Sequence, residues 1–260
     1  MNRFDNKVII ITNADTGIGA ATAKRFILEG ASVVLNACHK ESLREMTNGI
    51  SGRRILLHEG NVSERAYIER LVEETVSQFG RLDVLINNIQ SASSKQNHGD
   101  TTERLLKMTE QLHKVTPSDV DCVFQAVRSA LPHLLHTRGA VVNVLFPPEV
   151  GIEQGGSSYN SARGAVSRLT RTVAGDLAGE GVRVNVVSPR LTSMVLAGDF
   201  ENSDSFYPKS GEVVSIGRGA SAEEVAGVIA FLASEDASFV NGIDLPVDGG
   251  FTAVHRAATA

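Results

Sequence analysis

The stretch Val8-Ile9-Ile10-Ile11-Thr12-Asn13-Ala14-Asp15-Thr16-Gly17-Ile18-Gly19 decides the fold. Its first four residues form a continuous apolar, β-branched run, which is typical of a parallel strand buried on both faces. A helical pattern of apolar residues follows the two glycines and ends at Gly30. A buried strand that passes through glycines into a helix predicts the first βα unit of a doubly wound sheet.

The rest of the chain repeats this alternation of strands and helices. Further strands are expected at Ser32–Leu35, Ile55–His58, Leu82–Asn88, Ala140–Leu145, Arg183–Val187 and Asp244–Val247. Helical patterns lie between them, at 41–46, 64–79, 120–135, 159–179 and 222–234. The segment 90–117 is a loop followed by a short helix around 103–113, and 199–211 is polar and poorly periodic. We therefore predict an α/β fold, with one Rossmann-type domain over residues 1–260 built on a doubly wound parallel sheet flanked by helices.

Composition narrows the class of protein. The chain has 260 residues, 42% of them hydrophobic and 21% charged, with a net charge of −5. This charge gives no reason to expect nucleic acid or an anionic membrane as a partner, and no apolar run reaches eighteen residues. The N-terminus lacks the apolar core of a signal peptide, and two cysteines offer no disulfide framework. These features predict a soluble cytoplasmic protein.

The glycine loop predicts a binding site for phosphate. Gly17 and Gly19 would let the backbone approach a pyrophosphate group, which would lie against the amide groups of the following helix. The positive end of the helix dipole would favour the negative charge of that group. A tight strand-to-helix turn without any ligand is the alternative interpretation, and the buried strand directly before the loop favours nucleotide binding.

A second candidate site lies at Gly155-Gly156-Ser157-Ser158-Tyr159-Asn160-Ser161-Ala162-Arg163, a loop that runs into a helix. Tyr159 and Arg163 are one helical turn apart, so their side chains share a face. A fixed cation beside a phenol favours the phenolate and lowers a tyrosine pKa that is ordinarily about 10. The pair therefore indicates a tyrosine that can exchange a proton near neutral pH.

Five motifs in order resemble the short-chain dehydrogenase/reductase family over nearly the whole chain. They are Thr12-x4-Gly17-Ile18-Gly19, Phe79-Gly80-Arg81-Leu82-Asp83-Val84-Leu85-Ile86-Asn87-Asn88, Tyr159-x3-Arg163, Val182-Arg183-Val184-Asn185-Val186-Val187-Ser188-Pro189, and Phe231-Leu232-Ala233-Ser234 with Asp248-Gly249-Gly250. The resemblance implies NAD or NADP as cofactor and a tetramer or dimer built on long helices. Here the helices near 120–135 and 165–177 are the candidates.

The resemblance also implies a set of cofactor-binding positions: Thr12, Asn13, Asp15, Thr16, Gly17, Ile18, Gly19, Asn61, Val62, Asn87, Asn88, Tyr159, Arg163 and Pro189. Several depart from the family pattern. Asn13 replaces the first glycine, Asn61 replaces an aspartate that binds adenine, and Ile89 and Gln90 replace small residues. The residues expected to choose between NAD and NADP are Ala37 and Cys38, which are neither acidic nor basic, so the choice stays open.

The implied catalytic set departs further. Members of the family use an asparagine, a serine, a tyrosine and a lysine, and the matching positions here are Asp119, Phe146, Tyr159 and Arg163. Arg190 replaces a glycine beside the nicotinamide. Phe146 supplies no hydrogen bond, and losing one oriented donor commonly costs about 100- to 1000-fold in rate. The resemblance therefore implies an atypical active site in which Tyr159, Arg163 and Asp119 are the catalytic candidates.

Three functions remain open at this stage. The first is an NAD(P)-dependent oxidoreductase acting on the hydroxyl/carbonyl couple of a small molecule. The second is a catalytically silent subunit or nucleotide-binding regulator on the same fold. The third is a non-redox enzyme of the halohydrin dehalogenase type, which uses a serine, a tyrosine and an arginine. No metal site is expected, because His133 and His136 lie near a solvated helix end.

Overall fold

The computed structural model describes residues 2–48, 50, 54–89, 120–145, 157–189 and 215–253, and for 157–162 it describes the helical backbone. The strands are β1 (Val8–Ile11), β2 (Ser32–Ala37), β3 (Ile55–Glu59), β4 (Val84–Ile89), β5 (Ala140–Leu145), β6 (Arg183–Pro189) and β7 (Asp244–Val247). The helices are α1 (Gly17–Leu28), α2 (Lys40–Met46), α3 (Arg65–Phe79), α4 (120–137), α5 (Ser157–Leu177) and α6 (Ala222–Ala233).

All seven strands pair in parallel, in the order β3-β2-β1-β4-β5-β6-β7. The chain winds outward from β1 to β3 and then returns to place β4 on the other side of β1. This reversal opens a crevice at the carboxyl ends of β1 and β4, where folds of this kind bind ligands. The predicted Rossmann-type parallel sheet is confirmed.

Helices cover both faces of the sheet and form two apolar cores. One core packs α1, α2 and α6 through residues such as Phe26, Leu43 and Ile229. The other packs α3, α4 and α5 through residues such as Ile68, Val123 and Val166. The central strands are buried on both sides, which explains why β1 is a continuous apolar run and why five of the six residues of β5 are apolar. The doubly wound arrangement is therefore confirmed.

Most element boundaries lie within two residues of the predicted ones, and the differences have local causes. β4 begins at Val84 rather than Leu82, because the Asp83 side chain leaves the strand pattern and accepts a hydrogen bond from Val8 N at 2.9 Å. Helix α6 begins with a capping box between Ser221 and Glu224, and Glu223 and Glu224 lie in its first turn, where negative charge is favourable. The predicted loop and short helix at 90–117 and the polar segment at 199–211 lie outside the described residues. Within the described ranges, no helix is long and apolar enough to cross a membrane.

Candidate functional site

The loop after β1 adopts a conformation that depends on its glycines. Gly17 has a φ of 53°, and Asn13 has a φ of 47°, both in the left-handed region. Asparagine tolerates this region better than other non-glycine residues, so Asn13 can stand in for the family's glycine. A Cβ on Gly19 would lie 2.1 Å from Asn13 O. The loop therefore packs its own backbone where Gly19 has no side chain.

The loop is fixed to β4 by a reciprocal pair of hydrogen bonds across the crevice. Asn13 Nδ2 donates to Asn88 O at 2.8 Å, and Asn88 Nδ2 donates to Asn13 O at 2.9 Å. Thr12 adds a third link, because its Oγ1 accepts from Asn88 N at 3.0 Å. Three residues predicted to bind the cofactor thus hold one another in place at the edge where the strand order reverses.

The geometry of this loop fits a pyrophosphate group. The first turn of α1 consists of Gly17, Ile18 and Gly19, so no side chain there carries a negative charge against the positive end of the helix. Gly19 has no side chain, which lets Asn13 O and Asn88 Nδ2 pack against the start of the helix. Asp15 and Thr16 lie between the braced Asn13 and the helix, half-buried and exposed respectively. The glycine-containing start of α1, with no acidic side chain in its first turn, therefore fits a phosphate group at the helix N-terminus.

One residue that sequence reasoning missed joins this loop to the neighbouring strand. Asn36, fully buried in β2, accepts from Asn13 N at 3.2 Å and donates to Gly60 O at 2.9 Å. Its Nδ2 also lies 2.7 Å from Tyr67 Oη. The sequence did contain a sign of this role, because Asn36 is the one amide in the otherwise apolar segment 33–37 of β2. A search for apolar periodicity does not detect such a residue.

The predicted adenine-side residues lie just beyond β3. Asn61 is exposed, and its Oδ1 already accepts from Ser63 N at 2.9 Å, while Val62 is half-buried. An amide oxygen has two lone pairs, so Asn61 can still accept a second hydrogen bond. The turn before it is tightly constrained, because a Cβ on Gly60 would lie 2.0 Å from the Tyr67 ring.

The Asn87 side chain belongs to a buried relay of hydrogen bonds rather than to the crevice surface. Asn87 Nδ2 donates to Asn143 Oδ1 at 2.9 Å, and Asn143 Nδ2 donates to Thr170 Oγ1 at 2.9 Å. The relay connects β4, β5 and α5. Since α5 carries Tyr159 and Arg163, this chain of amides fixes the helix that bears the predicted catalytic pair.

The structure places Tyr159 and Arg163 on the same helix, as the sequence predicted. Arg163 is half-buried and lines a cleft of about 350 Å³ with Ser167, Arg168 and Asp244, among others. The Tyr159 side chain lies outside the described residues, as do Asp119, Phe146, Gln90 and Arg190. The proposed phenol–cation contact is therefore still a prediction.

The remaining predicted positions lie at the carboxyl ends of other strands. Ile89 ends β4 and is half-buried, and Pro189 ends β6 and is buried. At the end of β2, Ala37 is buried and Cys38 is exposed. Glu59, which pairs with Ala37 in the register of the sheet, places an exposed carboxylate on the neighbouring strand. All five residues therefore border the same edge of the sheet as the glycine loop.

Comparison with known proteins agrees with this geometry. A family model described as enoyl-(acyl carrier protein) reductase matches residues 13–252. Meso-2,3-butanediol dehydrogenase of Serratia marcescens is 40% identical over 96% of both chains, and cyclohexanol dehydrogenase of an Acinetobacter strain is 33% identical over 96% of this chain and 97% of that protein. A short-chain dehydrogenase/reductase of Caenorhabditis elegans, solved with its cofactor, superimposes with a TM-score of 0.81 at 29% identity, covering 96% of this chain and 97% of that one.

The relatives are oxidoreductases of small molecules, and dehydrogenases of this family use NAD or NADP. The braced glycine loop, the parallel sheet of seven strands and the match over nearly the whole chain lead to one conclusion. The chain belongs to the short-chain dehydrogenase/reductase family.

Proposed function

We propose that this protein is an NAD(P)-dependent oxidoreductase that interconverts a hydroxyl and a carbonyl group on a small molecule, through an atypical active site. The observation that carries the proposal is the glycine loop at the start of α1, whose position beside β4 is fixed by the reciprocal bonds between Asn13 and Asn88.

The cofactor would be held along one edge of the sheet. Thr12, Asn13 and the glycines would hold the pyrophosphate, Asn61 and Val62 would flank the adenine, and Asn88 and Pro189 would border the nicotinamide half. When bound, the nicotinamide supplies or accepts the hydride. Ile89 narrows the passage for the ribose, which distinguishes this chain from relatives with small residues there.

Tyr159 and Arg163 would perform the proton transfer. During oxidation, Tyr159 Oη takes the proton of the substrate hydroxyl as the hydride leaves its carbon, and during reduction it returns that proton to the carbonyl oxygen. The positive charge of Arg163 favours the phenolate form of Tyr159. The guanidinium of arginine is a planar group with several donors, whereas the lysine of the family carries a compact ammonium. The charged group of Arg163 must therefore lie at a different position in the site from that of lysine. Asp119 stands at the position of the family's proton-relay asparagine.

Two of the relatives are named for small secondary alcohols. The names of the two dehydrogenases above give a vicinal diol and a cyclic alcohol, both uncharged and compact. We infer that the substrate of this chain belongs to the same class.

Phe146 favours a second candidate function. A phenylalanine at the serine position cannot orient the substrate oxygen by a hydrogen bond, so a catalytically silent nucleotide-binding subunit is the alternative. A nucleotide would then bind without turnover.

The test is a panel of small secondary alcohols, diols and the matching ketones, assayed with NAD and with NADP by absorbance of the reduced nicotinamide. We expect turnover that falls at least about 100-fold in Tyr159→Phe. Cofactor binding without turnover, and a Tyr159→Phe variant with unchanged behaviour, would support the silent subunit instead. Chloride release from a chlorinated alcohol, measured in parallel, would indicate the dehalogenase chemistry.

We also propose an oligomer that buries the outer faces of α4 and α5. Helix α4 exposes Phe124, and α5 exposes Arg168 and Arg171 in its middle and Asp176 near its end. Two antiparallel copies of α5 would bring Arg168 of each near Asp176 of the other. We expect light scattering to show a dimer or tetramer that Asp176→Arg weakens, and a monomer at micromolar concentration would contradict this proposal.

A further inference from the structure

Asn36 is a buried amide in a strand whose other central residues are apolar. Its side chain has no exposed area, and its neighbours in β2 are Val33, Val34, Leu35 and Ala37. Burying an amide costs free energy unless its oxygen and nitrogen are both bonded. A valine or alanine at this position would satisfy the strand equally well, so the amide must be understood through its partners.

The partners of Asn36 belong to two different loops. Its Oδ1 accepts from Asn13 N at 3.2 Å in the glycine loop, and its Nδ2 donates to Gly60 O at 2.9 Å in the turn after β3. Backbone bonds run in parallel, from Ala14 N to Asn36 O at 2.8 Å and from Gly60 N to Ala37 O at 3.0 Å. One side chain therefore spans the gap between the two loops.

Side chains from β3 and α3 fix the rotamer of Asn36. The Nδ2 group also lies 2.7 Å from Tyr67 Oη, which in turn lies 2.9 Å from His58 Nδ1. His58 Nε2 lies 2.9 Å from Glu74 Oε2. Because these groups come from β3 and α3, the amide plane of Asn36 is held by elements outside both loops. Such support is what a residue needs to position others.

From this geometry we propose that Asn36 is a positioning residue for the adenosine and pyrophosphate half of the dinucleotide. It sets the distance between the phosphate loop at Asn13 and the adenine-side turn that leads to Asn61. The assignment rests on the proposed function, since it presumes that a dinucleotide spans these two loops. Asn36 acts through its neighbours and touches no ligand itself.

Asn185 provides a matched control in the same sheet. It is equally buried, and its side chain also bonds in two directions, from Nδ2 to Val240 O at 2.9 Å and from Ile243 N to Oδ1 at 3.1 Å. These partners lie in the segment before β7, on the far side of the sheet from the glycine loop. Asn185→Ala thus removes similar bonds without touching the proposed site.

The experiment measures ADP binding by calorimetry for the wild type, Asn36→Ala and Asn185→Ala. We expect Asn36→Ala to weaken ADP about tenfold, the value of one oriented hydrogen bond, and Asn185→Ala to change it less than about twofold. In steady-state assays, Asn36→Ala should raise the KM for the cofactor and leave kcat nearly unchanged at saturation. Equal ADP affinity in the two alanine variants would overturn the assignment while leaving the proposed function intact. The same titration with 2′,5′-ADP covers a preference for NADP, and no binding of either nucleotide by the wild type would overturn both.

Hydrogen exchange in the ligand-free proteins gives an independent result. Asn36→Ala should speed the exchange of peptides covering 12–16, because the amide of Asn13 loses its acceptor. In Asn36→Asp the new side chain has the same shape as asparagine, so this variant tests the bond to Asn13 separately from the bond to Gly60. It keeps the acceptor for Asn13 but faces Gly60 O with an oxygen, so exchange should rise around 58–62 and stay unchanged at Asn13. Unchanged exchange at both segments in both variants would overturn the assignment.

Discussion

Asn13 and Asn88 each donate a side-chain hydrogen bond to the backbone carbonyl of the other, at 2.8 and 2.9 Å, across the crevice between β1 and β4. The two residues lie where the strand order of the sheet reverses. Among the described residues, the buried Oδ1 of Asn88 has no hydrogen-bond partner. The pair holds the glycine loop against β4, and the first two predictions test the effect of this contact.

The first prediction concerns the left-handed backbone of Asn13, whose φ is 47°. Asn13→Gly removes the side-chain bond but relieves the conformation, so we expect the free energy of unfolding to fall by at most about 1 kcal/mol. Asn13→Ala loses the same bond and keeps the strain, so it should cost about 2 kcal/mol. Urea denaturation of both variants measures the difference. An alanine variant as stable as the glycine variant would show that the backbone is not strained there.

The second prediction concerns Gly19. An added Cβ would lie 2.1 Å from Asn13 O and 2.8 Å from Asn88 Nδ2, so the loop must move in Gly19→Ala. We expect a loss of about 1–3 kcal/mol in stability and at least about a tenfold loss in ADP affinity. Gly227→Ala in α6 is the control, because its nearest atom is Arg25 Nη1 at 3.8 Å. That variant should gain about 0.5–1 kcal/mol, as alanine does in a helix.

The third prediction concerns the relay that holds α5. Asn143→Ala leaves Asn87 Nδ2 and Thr170 Oγ1 without their partner, so we expect unfolding to become easier by about 2–3 kcal/mol. Thr170→Val breaks only the second bond and should cost about 1 kcal/mol. Guanidinium denaturation gives both values. Because α5 carries Tyr159 and Arg163, turnover should also fall in Asn143→Ala. Full activity in this variant would show that the relay does not position the predicted catalytic pair.

The fourth prediction uses the burial of Tyr67, which raises its pKa to about 12. In the unfolded chain the phenol ionises near pH 10, while in the folded protein it keeps its proton until about pH 12. The folded state therefore binds more protons in this window, and stability is lost as pH rises from about 10 to 12, by up to about 3 kcal/mol. Tyr67→Phe should be less stable than the wild type at pH 8 and show a smaller fall by pH 11.5. An equal fall in both proteins would assign the loss to other groups.

The fold was predictable because its signals are local and periodic. The apolar run of β1, the glycines before α1 and the helical spacing in α3 each determine one element, and their alternation predicts a doubly wound parallel sheet. The order of its strands came from the structure. The boundaries shifted where a side chain left the pattern, as Asp83 does before β4. The glycine loop was predictable for the same reason, since its motif is contiguous in sequence.

The supporting contacts of the site were not predictable, because they join residues that are distant in sequence. Asn36 reaches Asn13 and Gly60 only once β2 lies between β1 and β3. Asn87 belongs to a sequence motif for cofactor binding, but in the folded sheet its side chain donates a hydrogen bond to Asn143 on β5. Spacing along one strand cannot reveal a bond to another strand, so these roles required the three-dimensional arrangement.

The most direct test of the central claim is a titration of the purified protein with NADH and with NADPH, followed by nicotinamide fluorescence. The braced loop predicts saturable binding of at least one of them in the micromolar range, weakened at least about tenfold in Gly19→Ala and unaffected in Gly227→Ala. The absence of binding for both nucleotides at millimolar concentration would contradict the account.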